Sequence, residues 1–150
     1  MKVHEDNIAD SSREKYLGDK IDQSGKISNT VEDRKNKGVG AVSEILAIIN
    51  DIPLGKHRME IGLLLRQAML LNGNLFNSEA WHAISDSDIK LLETIDEHLL
   101  RSLVKGHSKT PLEFLHLEAG PLPILFLISC RRMVYLHTIL RRPDEESNSW

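Results

Sequence analysis

Between positions 61 and 75, apolar residues return at steps of three, four, three and four: Ile61, Leu64, Ala68, Leu71 and Leu75. Only an α-helix gathers such positions on one side, because its 3.6-residue turn brings i, i+3, i+4 and i+7 together. Leu63, Leu65, Met69 and Leu70 widen the stripe, so the spacing predicts a central, buried helix over about 56–75. Asn72-Gly73-Asn74 loosens its end.

The same logic places four more helices. Asn29 is a good N-cap, with Glu32 three residues on to bond back, and Val42, Ile45, Leu46 and Ile49 carry the apolar face up to Pro53. Gly38 and Gly40 inside that helix each cost about 1 kcal/mol relative to Ala, which makes sense only where something packs close to the backbone. Ser85 caps a helix with acids in its first turn and with Ile89, Leu92, Ile95, Leu99 and Leu103 on one face; Gly106 stops it. Thr110, Pro111 and Glu113 open a short helix as cap, first residue and capping-box partner, and Gly120-Pro121 closes it. A last helix spans about 122–140 with Leu125, Phe126, Met133, Leu136 and Leu140 facing inward. Ahead of all five, Tyr16-Leu17 suits a strand and Gln23-Ser24-Gly25-Lys26 a turn, which predicts a hairpin.

The expected fold class is therefore mainly α: a bundle of about five helices with a short N-terminal β-hairpin. The expected segments are a polar stretch over 1–14, the hairpin over 15–28, helices over 29–84, a C-terminal helical region over 85–142 and an acidic tail over 143–150. A chain of 150 residues, 41% apolar and 27% charged, can bury one core. The longest apolar run, 122–128, is interrupted by Pro123, far short of the roughly 20 residues a spanning helix needs. The charged N-terminus lacks the apolar core of a signal peptide, so the expected compartment is intracellular, cytoplasmic or nuclear, with no membrane partner.

Chemistry is sparse. The seven histidines share no ligand spacing with one another, with Cys or with acids, so no metal site is expected. Gly38-Val39-Gly40 lies inside a helical pattern and not after a strand, which excludes a dinucleotide loop. Cys130, the single cysteine, excludes an internal disulfide and reads as a buried, inert thiol on an apolar helix. No catalytic residue is assigned.

Charge says more. The net charge of −3 excludes a generally basic nucleic-acid binder, yet residues 99–142 hold seven Lys/Arg against two acids, a local balance of 7 − 2 = +5. Arg131-Arg132 and Arg141-Arg142 stand ten residues apart, about 15 Å along a helix, a span that can reach two separated phosphates. On charge alone a solvated helix end explains these residues better.

An ordered set of motifs adds a family resemblance. Lys15-Tyr16-Leu17-Gly18 is followed by the polar Asp22-Gln23-Ser24-Gly25, by Glu32-Asp33-Arg34 on a helix, by Leu75-Phe76-Asn77-Ser78-Glu79-Ala80-Trp81, and by Arg131-Arg132. Over about residues 13–142 this order resembles the C-terminal part of the reverse transcriptases of non-LTR (LINE-type) retrotransposons. There a Tyr-Leu-Gly strand forms the primer grip after the catalytic palm, and a helical thumb follows. Many members carry Leu-Tyr-Gly-Ser-Glu-Thr-Trp, from which 75–81 departs by Phe for Tyr, Asn for Gly and Ala for Thr. The resemblance makes 15–28 primer-grip-like and 29–84 thumb-like, with Lys15, Tyr16, Leu17, Gly18, Arg34, Arg131 and Arg132 as nucleic-acid-binding residues.

The Asp pair that holds the polymerase's Mg²⁺ ions has no counterpart, because the sequence contains no Asp-Asp dipeptide. By resemblance this is a piece of an RNA-directed DNA polymerase without its catalytic centre, either a fragment of a decayed element or a reading frame that starts downstream of the palm. It is expected to need no cofactor, to be inactive in isolation, and to bind an RNA–DNA or DNA duplex weakly. The missing palm, or another protein on the apolar helix faces, is a further expected partner. The alternative reading is a small all-α protein-interaction module with no nucleic-acid role.

Overall fold

The computed structural model describes residues 13–16, 19–22, 27–81 and 84–141. The chain is mainly helical. Two short strands, β1 (Arg13–Tyr16) and β2 (Asp19–Asp22), pair antiparallel with Arg13 opposite Asp22 and Tyr16 opposite Asp19. Five helices follow among the described residues. α1 is Ser28–Asn50. α2 is a continuous rod: an α-helix over Lys56–Leu65, a π-helical turn over Arg66–Leu71 and a last α-turn over Asn72–Asn74. A 3₁₀ turn, Ser78–Ala80, leads to α3 (Asp86–Val104), α4 (Leu112–Ala119) and α5 (Ile124–Leu140). None of these helices is by itself long and apolar enough to cross a membrane.

The core has two parts. Val42, Ile45 and Ile49 of α1 meet Leu70 of α2, Ile95, Leu99, Leu100 and Leu103 of α3, and Leu115 and Ala119 of α4. Beside it, Val31, Leu71, Leu75, Trp81, Leu92, Ile124 and Ile128 form a second cluster. The π turn is where α2 crosses from one cluster to the other. Its extra residue per turn lets the adjacent Leu70 and Leu71 both be buried, one in each cluster.

Several expectations are corrected. The hairpin expected over 15–28, with its turn at 23–26, is not what forms. The strands that pair are 13–16 and 19–22, and residues 17–18 and 23–26 lie outside the described residues. Both Leu17-Gly18 and Ser24-Gly25 are turn signals, and local chemistry does not rank them. Asn29 is not the N-cap of α1: Ile27 holds that position, with no side-chain cap, and Ser28 donates a 3.3 Å hydrogen bond to Asp88 of α3. Thr110 does not cap α4, whose cap position is Pro111. The Thr110 carbonyl accepts from Arg101 instead, at 3.0 Å. Lys105, not Gly106, takes the left-handed conformation after α3. Gly106 is small because Leu115 packs there: a Cβ would lie 2.9 Å from Leu115 Cδ2.

Leu71 and Leu75 of the expected α2 stripe are buried, but the rest of that face and the face of α5 are misread from sequence. Ile61, Leu64 and Ala68 are exposed, and the buried positions of α2 are Arg58, Gly62, Arg66, Leu70, Leu71 and Asn74. Two arginines sit on that face because each has a buried acceptor. Arg66 meets Asp96 of α3 at 2.5 and 2.6 Å in a two-pronged ion pair. Arg58 donates to the Ile49 and Ile52 carbonyls at the end of α1, where the helix dipole favours a cation. On α5 only Ile124 and Ile128 are buried; Leu125, Phe126, Met133, Leu136 and Leu140 point outward, and Cys130 is exposed rather than buried. The Ser85 cap of α3 forms as expected, as a reciprocal box with Asp88.

Candidate functional site

The motif-bearing segments, far apart in sequence, come together at one end of α1. Asp19 on β2 receives a 3.1 Å ion pair from Arg34 of α1 and a 2.7 Å hydrogen bond from Asn77. Asn77 can reach it because its backbone is left-handed, with φ 60, a conformation Asn tolerates better than most residues. Arg34 also donates to the Gly73 carbonyl at 3.1 Å, and its guanidinium lies 5.6 Å from the centre of the Phe76 ring. Asp19 and Arg34 are both buried, so their pairing is shielded from water.

The last motif joins the same assembly from α5. Arg131 donates to the Leu75 carbonyl at 2.5 Å and Arg132 to the Trp81 carbonyl at 2.6 Å. The two arginines therefore hold both ends of the 75–81 segment. Gly38 of α1 belongs here too: a Cβ would sit 2.5 Å from Asn74 Nδ2, so glycine lets α1 and the end of α2 close up. Gly40 has open space around it and no such reason.

The residues assigned to nucleic acid from sequence divide into two groups. Lys15 and Tyr16 lie on β1, opposite Lys20 and Asp19, while Leu17 and Gly18 lie outside the described residues. Arg34, Arg131 and Arg132 are brought together, but each guanidinium is engaged inside the protein. Sequence reasoning missed Asp19 and Asn77, which tie the assembly together. The usable signal was an acid directly after Tyr-Leu-Gly and an asparagine at 77, a residue that tolerates a left-handed turn.

Beside the assembly, the 3₁₀ turn and α5 border an open groove of about 500 Å³ lined by Glu79, Cys130, Arg131, Val134, Tyr135 and Thr138. It offers one carboxylate and one thiol but no base aligned with a nucleophile. Among the described residues no group of three or more His, Cys, Asp or Glu side chains could hold a metal ion. Away from the site, burial pushes the Glu93 carboxyl above the ordinary range; His116 opposes the shift, and Asp96, Glu113 and Glu97 add to it. Comparison with family models, with curated proteins and with solved structures finds no match.

Proposed function

We propose that this chain is a non-catalytic, thumb-like module that holds a primer–template duplex, similar to the part of a non-LTR reverse transcriptase that follows the palm. One observation supports the reading: three of the stretches on which the resemblance rests, at 34, 75–81 and 131–132, are joined by hydrogen bonds into one polar assembly, and Asp19, next to the Tyr-Leu-Gly stretch, is tied into it.

In this reading the roles separate. Asp19, anchored by Arg34 and Asn77, fixes the strand pair against the helices, and the Tyr16-Leu17-Gly18 stretch is the backbone that meets the primer end. Arg34, Arg131 and Arg132 position that stretch and the 75–81 segment, and phosphate contacts fall to exposed cations such as Lys37 and Arg141. Phosphate contacts of this kind orient a duplex without reading its sequence.

Fluorescence anisotropy with a labelled RNA–DNA hybrid bearing a recessed primer end tests it. With two to four phosphates engaged, affinity falls roughly 10- to 150-fold between about 50 and 200 mM salt. No binding at the lowest salt overturns the proposal.

A further inference from the structure

The outward face of α5 carries a seam of its own. Phe126, Ser129, Met133, Leu136 and Leu140 recur at steps of three, four, three and four on the side away from the buried Ile124 and Ile128. Leu122, exposed just ahead of the helix, extends the row. All but Ser129 are large and apolar, and these are more than half exposed: Leu122 53%, Phe126 59%, Met133 62%, Leu136 57% and Leu140 84%. A soluble surface rarely leaves an apolar row of this length uncovered.

We infer that this seam pairs with the same seam of a second copy, antiparallel about a twofold axis at position 131. Three arguments select a second copy. The spacing reads the same in both directions, so the axis sets Leu122 against Leu140, Phe126 against Leu136, and the small Ser129 against the long Met133. Self-complementarity of that kind is what a twofold interface requires. No like charges meet on the seam: α5 has no acid, and Arg131 and Arg132 are drawn to the Leu75 and Trp81 carbonyls. Finally, the row offers on the order of 600 Å² of apolar area per copy, roughly 1,200 Å² for the pair, at the lower edge of stable interfaces. The association is therefore a weak, concentration-dependent dimer.

Sedimentation velocity on the full chain over a roughly hundredfold concentration range tests this. The expected result is a rise from 17.0 kDa toward about twice that mass. Met133→Glu stays monomeric over the same range with an unchanged circular dichroism spectrum, because Met133 touches no core cluster. Ile48→Glu, on the exposed side of α1, still dimerises. Cys130 is the chain's single cysteine, close to the proposed axis, so a short bismaleimide links two wild-type copies and not two Met133→Glu copies. A monomer at every concentration overturns the inference, whether or not it binds vesicles of phosphatidylcholine and phosphatidylserine; vesicle binding would assign the face to a membrane. A dimer that survives Met133→Glu overturns it as well. Neither result bears on duplex binding, which rests on other residues.

Discussion

Arg34 and Asp19, fifteen positions apart, meet at 3.1 Å with both side chains buried, and this pair joins the N-terminal strands to the helical body. Arg34 also contacts the Gly73 carbonyl and the Phe76 ring, so one guanidinium ties β2 to the stretch at the end of α2. Removing the acid takes a charged partner from a buried guanidinium. Asp19→Ala is expected to cost about 3 kcal/mol, read as a lower urea midpoint with an unchanged slope. A midpoint equal to the wild type would mean that the strands are not held through Asp19.

The Arg66–Asp96 pair behaves differently in single and double replacement. Asp96→Ala strands a buried guanidinium and is expected to lose about 3–5 kcal/mol. Arg66→Met with Asp96→Leu, which fills similar volume without charge, is expected to restore most of that loss or exceed it. A double-mutant cycle by chemical denaturation measures the difference; a double variant as unstable as the single one would show that the pair contributes more than its desolvation costs.

The helical glycines separate by surroundings. A Cβ at Gly62 would lie 2.1 Å from Leu103 Cδ2, in a buried side chain with little room to move. Gly62→Ala is expected to lose about 1–3 kcal/mol as α2 is pushed from α3. Gly40→Ala meets nothing within 4 Å and is expected to gain about 0.5–1 kcal/mol from helix propensity. Thermal melts of the two variants should move in opposite directions, and a shift of the same sign in both would contradict the packing described for Gly62.

Glu93 gives a pH signature. Its folded carboxyl binds a proton more readily than the unfolded one, whose ordinary value is 4.5, because burial penalises the charge. Between that value and its raised folded value the native state holds more protons, so this group lowers stability as pH rises through the window. Glu93→Gln removes the effect. The variant is expected to melt above the wild type at neutral pH, with the difference closing as pH falls toward 4.5. A constant difference across that range would sink the assignment.

The predominance of helix, the Ser85 cap of α3 and the end of α1 ahead of Pro53 were legible in the sequence, because caps and breakers act within a few residues. So were the inward faces of α1 and α3, where Val42, Ile45, Ile49, Leu92, Ile95, Leu99 and Leu103 are buried as expected, but not those of the first turns of α2 or of α5. Apolar spacing put Ile61, Leu64 and Ala68 inside, yet Arg58, Gly62 and Arg66 occupy that side, because acceptors on α1 and α3 satisfy the arginines and Leu103 fills the space at the glycine. On α5 the periodic row was real and its direction was inverted. A row of apolar residues says that something covers it, and not whether that cover is the chain's own core.

The motif residues follow the same division. Their order along the chain was readable, and it carried the resemblance. Their meeting in space was decided by Asp19, Asn77 and the backbone carbonyls of Gly73, Leu75 and Trp81. By itself, the sequence determined which stretches are helices and, within a few residues, where they end, since those choices rest on short-range backbone energetics. Only the tertiary structure decided which charges are buried, which apolar row faces outward and which distant motifs touch. Each of those outcomes depends on a partner group that the local sequence does not contain.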